Sequence, residues 1–221
     1  MRPFLAAALA ILLPPLAASA ESGWLVDPRS GCKVWDDEIE PNETVAWSGA
    51  CVGGYADGRG VVQWSQRGKP TQRMEGTFAR GKMEGLGFSQ DADGSRYEGE
   101  FHDGQLNGRG VVVYTDGSRC IGRFRNDDRN GAVTCTFASG DRYEGEYKDD
   151  KKDGRGIYTW TNGDRYEGEW KADQREGRGT YTWGDGTRYE GEWKDDKKNG
   201  RGAVIRNGQR SEGVWEDGER Q

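Results

Sequence analysis

The sequence has few of the residues that build an enzyme site or a thick aliphatic core. Its 221 residues include one histidine, six prolines and four cysteines, and only 33% are hydrophobic. His102 is the single histidine, so catalysis or metal binding that uses several imidazole groups is not expected. The formal net charge of −6 excludes the general basic surface of a nucleic-acid-binding protein and disfavours docking on anionic lipid.

Catalytic motifs are missing as well. The chain has no Gly-x-Ser-x-Gly elbow and no phosphate loop ending in Gly-Lys-Ser/Thr. Paired carboxylates such as Glu98/Glu100 and Glu190/Glu192 recur along the chain, which indicates a structural role because an active site is normally unique. We therefore predict a non-enzyme with no catalytic residue, no cofactor and no metal site.

Glycine and aromatic residues are abundant instead. The chain has 36 Gly, 9 Trp, 9 Tyr and 6 Phe. The 32% of charged residues would by itself indicate disorder, but a solvated tail rarely carries so many rings. This composition favours a thin, glycine-rich and aromatic-rich β architecture.

Residues 1–20 have the pattern of a secretory signal peptide. Arg2 gives a positive start, residues 4–13 form an apolar run, and Ala18-Ser19-Ala20 is a small-x-small cleavage site. An uncleaved membrane anchor is the alternative, but the run is short for a span. The leader predicts a periplasmic or secreted protein.

The four cysteines lie after the leader, at Cys32, Cys51, Cys120 and Cys135. An even number in an exported chain predicts two disulfides. Four cysteines allow three pairings, and proximity favours Cys32–Cys51 and Cys120–Cys135. Free or metal-bound thiols are the alternative, although the chain has no Cys-x-x-Cys motif or Cys/His cluster.

The rest of the chain is an internal repeat with a period near 23 residues. Seven units open at Trp47, Met74, Tyr97, Cys120, Tyr143, Tyr166 and Tyr189, and a partial unit opens at Ser211. Numbered from its opening residue, each unit has glycine at place three, and each full unit has glycine at place twelve. Place fourteen is glycine except at Val133, and place five is aromatic except at Cys51.

Unit six shows the pattern most clearly, with Tyr166, Gly168, Trp170, Gly177 and Gly179 followed by Asp-Gly at 185–186. This order resembles the MORN (membrane occupation and recognition nexus) repeat, and the leader makes the chain resemble an exported bacterial member. The resemblance implies a scaffold, a membrane-associated protein or a module attached to an enzyme such as a lipid kinase. No attached enzyme domain is present, so kinase activity is not carried over.

The spacing predicts that each unit is a β-hairpin. Residues 166–170 alternate large, charged and glycine residues, which is the period of a strand, and residues 177–183 form the second strand. The predicted fold is all-β: an elongated, single-layer, twisted antiparallel sheet of consecutive hairpins. We divide the chain into a signal peptide (1–20), an N-terminal capping segment (21–46) and a repeat domain (47–221).

Pairing and links between units follow from the same pattern. A Cys120–Cys135 bond sets places one and sixteen opposite each other. The same register pairs Glu146 with Arg155, Glu169 with Arg178 and Glu192 with Arg201. A three-residue link such as 161–163, with a left-handed glycine last, keeps the same side chains on the same face.

Such a sheet has one aromatic face and one Glu/Arg face. The candidate ligand residues on the aromatic face are Trp160, Trp183, Trp170, Trp193, Tyr158 and Tyr181. The alternative is that these rings only cover glycines and one another. The Glu/Arg ladder is a recognition surface or a solvated face, and the mixed-charge runs 148–152 and 194–198 are predicted to be soluble hairpin tips.

Unit four departs most from the pattern, with Cys120, Arg123 and Val133 in place of tyrosine, glutamate and glycine. We interpret it as a local staple or a specialised patch. For the whole chain we predict a non-catalytic scaffold that binds an envelope protein. The alternatives are a binder of envelope glycan, or less readily of lipid, through the aromatic face, and an enzyme.

Overall fold

The computed structural model describes residues 21–221; the predicted signal peptide, residues 1–20, lies outside them. Within this range every helix or strand is a β-strand, and the strands form one open, twisted, mostly antiparallel sheet of consecutive hairpins. The predicted fold class is confirmed.

The sheet has nineteen strands. They are β1 (Glu21–Val26), β2 (Lys33–Ile39), β3 (Glu43–Trp47), β4 (Ala50–Val52), β5 (Tyr55–Gln66), β6 (Lys69–Ala79), β7 (Lys82–Asp91), β8 (Arg96–His102), β9 (Gln105–Val113), β10 (Arg119–Arg125), β11 (Asp128–Thr136), β12 (Arg142–Lys148), β13 (Lys151–Thr159), β14 (Arg165–Lys171), β15 (Gln174–Thr182), β16 (Arg188–Lys194), β17 (Lys197–Arg206), β18 (Gln209–Glu216) and β19 (Glu219–Arg220).

From β5 onward each strand pairs antiparallel with the next one along the chain. At the N-terminus β1 pairs with β2, and β3 and β4 both pair with β5. A single parallel pair, Lys33 with Tyr55, joins β2 to β5. Contacts along the repeats are therefore made between sequence neighbours.

The N-terminal segment packs on the first two units. The Trp24 ring lies 5.0 Å from Trp35 and 4.9 Å from Tyr55, centre to centre. Asp27 is 1% exposed, and its carboxylate accepts hydrogen bonds from the Ser30 hydroxyl and the Trp47 amide. These contacts tie residues before the repeats to the first hairpins.

The links between units have the predicted geometry. Thr159 pairs with Arg165, and the Trp160 amide donates to the carbonyl of Asp164 at 2.9 Å. The amide of Gly163 donates back to the Trp160 carbonyl. Gly163 has φ 89°, a left-handed backbone conformation that glycine adopts without the steric clash of a Cβ atom. Three residues, 161–163, thus close the link.

The tip inside each unit is a two-residue turn. In unit five Asp149 and Asp150 have φ of 47° and 64°, as a type I′ turn needs. The Asp150 amide donates to the carbonyl of Arg129 at 3.2 Å, and the Asp150 carboxylate accepts from the Arg129 amide at 3.0 Å. Asp173 with Lys152 and Asp196 with Arg175 repeat both bonds, so successive tips are joined along the edge of the sheet.

The predicted register is right at the base of each hairpin and wrong at place four. Cys120 pairs with Cys135, and in unit five Gly145 pairs with Gly156, as expected. Toward the tip the register shifts by two residues, because Glu146 on β12 lies opposite a bulge of three residues, 153–155, on β13. Glu146 pairs instead with Ala132 of the preceding unit.

Units six and seven have the same bulge, so the predicted pairs Glu169–Arg178 and Glu192–Arg201 are not formed either. Arg178 pairs with Glu192 of the following unit. The bulge arises because the base register and the two-residue tip require different numbers of residues on the two strands. The Glu169 carboxylate, opposite the bulge, accepts a hydrogen bond from the Arg178 amide at 3.4 Å and lies over Gly177, which has φ 68°.

The sheet separates rings from acids, as predicted. Along β14, Tyr166 and Trp170 are buried, whereas Glu167 and Glu169 are exposed on the other side. We call the side with Tyr166 and Trp170 the ring face and the side with Glu167 and Glu169 the groove face. The core lies on the ring face, where the aromatic side chains pack against the glycines and one another.

Candidate functional site

Units three, five, six and seven open with a tyrosine, and we call them the regular units. In each of them this tyrosine fills the space that glycines leave on the ring face. The Tyr143 hydroxyl donates to the Glu146 carbonyl at 3.1 Å, and its ring lies over Gly145 and Gly156, where any Cβ would overlap it. Tyr166 and Tyr189 repeat this arrangement. Tyrosine and glycine thus form one packing unit, which accounts for their common period.

The side chains at place ten of the units form a further layer over these rings. The Lys152 ammonium lies 4.3 Å from the centre of the Trp170 ring of the next unit, and the Arg175 guanidinium lies 4.4 Å from the Trp193 ring. Burial lowers the pKa of Lys152, although nearby carboxylates oppose the change. Place ten holds Met83 and Leu106 in units two and three, and cations in units four to seven.

This layer corrects the prediction that runs 148–152 and 194–198 are soluble tips. Residues 148–151 are exposed, but Lys152 is partly buried on the ring face. Lys198 likewise lies 4.7 Å from the Trp183 ring. The mixed charge of these runs predicts solvent exposure along their whole length. Alignment of the units places Lys152 and Lys198 at the same position as Met83, which would have predicted their burial.

The structure divides the six candidate ligand residues into two groups. Trp170 and Trp193 are each only 5% exposed, so they belong to the core. The other four, which are partly exposed, are Tyr158, Trp160, Tyr181 and Trp183.

These four rings form a row beside the links, with successive centres 4.5, 5.4 and 4.9 Å apart. We call them the ring row. The Tyr158 hydroxyl donates to Asp141 at 3.1 Å and the Tyr181 hydroxyl to Asp164 at 2.6 Å. Burial and these carboxylates raise the pKa of both tyrosines to about 12. Both hydroxyls are therefore already engaged within the chain.

The groove face is the open side of the sheet. It holds two shallow clefts, one of 950 Å³ over units two to four and one of 1240 Å³ over units five to seven. Six glutamates and four arginines line the larger cleft, whereas two glutamates and three arginines line the smaller one. The face is thus acidic toward the C-terminus and weakly basic near the N-terminus.

Both cysteine pairs lie at disulfide distance, Cys32 with Cys51 and Cys120 with Cys135. Two disulfides suit a non-reducing, extracytoplasmic environment. Within residues 21–221 no three metal-ligating side chains converge. Over the same residues, none of the elements is an apolar helix long enough to span a membrane.

Hairpins stacked in register, with tyrosine over glycine in every regular unit, define a single-layer β repeat protein. The family model described as MORN repeat matches residues 75–96, 97–119, 120–142, 143–165, 166–188 and 189–203, which is more than half of the chain. The chain belongs to the MORN repeat family.

Comparisons beyond the family are distant. No curated protein matches the sequence. Among solved structures 46 chains match. One is the TCP domain of SAS-4 (dCPAP) from Drosophila melanogaster, in complex with a proline-rich motif of Ana2 (dSTIL). It is 14% identical, with a TM-score of 0.46, over 77% of this chain and 90% of that one.

Proposed function

We propose that the chain is a non-catalytic scaffold, exported to the periplasm of a bacterium or beyond, that binds another envelope protein through its groove face. Extended repeat surfaces suit this task. The leader pattern and the two cysteine pairs support the compartment. Residues 21–46 are proposed to cap the repeats of 47–221.

One observation supports the groove face above all. The three exposed arginines at place thirteen of units five to seven, Arg155, Arg178 and Arg201, form no ion pair with any residue in 21–221. The neighbouring glutamates instead pair on their own strands, as Glu144 does with Arg142 at 2.6 Å. A row of free guanidiniums on an open face can form charge-assisted hydrogen bonds to a partner.

A pull-down from a periplasmic extract tests this proposal. The bait is the mature chain, compared with Arg155→Glu/Arg178→Glu/Arg201→Glu on the groove face and Trp160→Ala/Trp183→Ala on the ring face. We expect the groove variant to lose the bound protein and the ring variant to keep it. If the wild-type chain recovers no protein at low salt, a stable protein partner is excluded.

The ring row supports a second candidate, a binder of envelope glycan. Tyr158, Trp160, Tyr181 and Trp183 present partly exposed rings side by side, and such rings stack on sugars. Lipid is less favoured because the net charge is negative. Intrinsic tryptophan fluorescence titrated with peptidoglycan fragments tests this candidate, and an unchanged spectrum sets it aside.

A further inference from the structure

The junction of units three and four breaks the pattern of the groove face. At place two, where Glu98 and Glu144 stand in units three and five, unit four has Ile121. At place four, where unit three has Glu100, unit four has Arg123. Two acids are thereby replaced by an apolar residue and a cation.

These replacements place two like charges opposite each other. Arg123 on β10 pairs directly with Arg109 on β9, so their Cβ atoms are about 5 Å apart. Both are exposed, and neither forms an ion pair with another residue of the range 21–221. Like charges in directly opposed positions destabilise a sheet. A glutamate at 123 would instead give an attractive pair.

Apolar side chains surround this arginine pair. Val111 pairs with Ile121 two residues along the same strands, on the same face, and Ile121 is 42% exposed. Leu86 is 77% exposed and lines the same 950 Å³ cleft. Exposed apolar groups beside an unfavourable charge pair lower stability, and proteins keep such features where a function needs them.

We propose that this junction binds an extended segment of a partner protein in which one carboxylate is flanked by apolar side chains. Arg109 and Arg123 would hold the carboxylate from two sides, and the partner's apolar groups would cover Val111, Ile121 and Leu86. This inference rests on the proposed function and names its site and partner chemistry.

Charge complementarity favours a protein segment over a membrane and fixes its direction. An anionic bilayer would also meet the larger cleft, whose six glutamates outnumber its four arginines and repel it. A single carboxylate reaches the arginine pair without meeting them. The segment therefore places its acid at the junction and neutral residues, whose carbonyl groups can accept from Arg155, Arg178 and Arg201, toward the C-terminal units.

Selection from a displayed library of random twelve-residue peptides on the intact mature chain tests this. The decisive variant is Ile121→Glu/Arg123→Glu, which restores the Glu-Gly-Glu pattern of the neighbouring units and should unfold at the same or a higher urea concentration. The matched control is Lys171→Glu/Thr182→Glu in unit six, where an uncharged residue and a cation on the groove face also become glutamate and Thr182 lies opposite Arg165 and Arg188.

We expect enriched peptides to carry an aspartate or glutamate between apolar residues. Their affinity, measured by fluorescence anisotropy, should fall at least tenfold for Ile121→Glu/Arg123→Glu and change less than threefold for the control. Enriched peptides without an acid, no enrichment at all, or equal affinity for the decisive variant would overturn the inference. Binding to phosphatidylglycerol vesicles that this variant abolishes would overturn it in favour of a membrane.

The two proposals fail in different ways. Peptides that bind the decisive variant normally but lose binding to Arg155→Glu/Arg178→Glu/Arg201→Glu place recognition elsewhere on the groove face. That result keeps the protein-binding scaffold and removes the junction site. Peptides insensitive to both variants, together with no protein recovered in the pull-down, remove both.

Discussion

The ammonium group of Lys152 lies 4.3 Å from the centre of the Trp170 ring, so a charged side chain of one unit covers a core residue of the next. The same ammonium lies 5.0 Å from the ring of Tyr158 in its own unit. Partly desolvated contacts of this kind contribute about 1–2 kcal/mol. Place ten is therefore a main point of coupling between consecutive units.

Replacing Lys152 by glutamate should lower the free energy of unfolding by about 2 kcal/mol, because a carboxylate is repelled by the face of the rings and is poorly solvated there. Replacing it by methionine should cost less than about 1 kcal/mol, since Met83 occupies the same place in unit two. Urea unfolding followed by tryptophan fluorescence measures both. Lys151→Glu, at an exposed position, is the control; equal effects at 151 and 152 would contradict the assignment.

Replacing Gly156 by alanine should destabilise the protein by about 1–3 kcal/mol, because the new methyl group overlaps the Tyr143 ring. The loss should shrink when Tyr143 is also changed to alanine. A double-mutant cycle of urea unfolding free energies measures this coupling, and strictly additive losses would show that the ring does not cover the glycine. Unit four is consistent with this relation, since Val133 replaces the glycine where Cys120 replaces the tyrosine.

Breaking Cys32–Cys51 with Cys32→Ala/Cys51→Ala should cost about 3 kcal/mol, from the 19-residue separation that the bond closes. The loss should be local, since repeat proteins fray from their ends. Hydrogen exchange should show β1, β2 and β4 losing protection first, and uniform loss would contradict local fraying. Cys120→Ala/Cys135→Ala, with a 15-residue separation, is the matched control and should loosen the middle of the sheet.

Stability should fall as the pH rises above about 10. Burial raises the pKa of eight tyrosines, to about 12 for Tyr97, Tyr147, Tyr158 and Tyr181. Unfolded tyrosines ionise first, so the folded state binds more protons in this window and loses stability through it.

Lys152 and Lys198, whose pKa values burial lowers, act in the opposite direction, but they are outnumbered. Urea unfolding at pH 9, 10 and 11, with tyrosinate absorbance as a second probe, measures the balance. A free energy of unfolding that stays constant through pH 11 would contradict this expectation.

The hairpin repeat, its base register and its links could be predicted because they depend on backbone geometry that glycine and strand alternation reveal. The Cys120–Cys135 pair and the left-handed Gly163 are examples. The bulge opposite Glu146 could not be predicted from either end alone, since it is the result of two turn geometries that disagree by two residues.

The site was less accessible from the sequence. Trp170 and Trp160 are the same residue type on the same face, yet the first is core and the second partly exposed. Trp170 is enclosed by Tyr143, Tyr166 and the Lys152 side chain together, and Lys152 could not be expected there because a charged residue is normally assigned to solvent. The arginine pair at 109 and 123 was likewise hidden, because the two residues oppose each other only across a boundary between units.

The hydrogen bonds between successive hairpin tips are the same from unit to unit, so whole units can be gained or lost in evolution. Excising residues 143–165 would join Arg142 to Tyr166, the same dipeptide that Arg165 and Tyr166 form now. Asp173 would then meet Arg129 with the donors and acceptors that Asp150 uses today. Gene duplication or loss of one of units five to seven therefore keeps these hydrogen bonds without a compensating change.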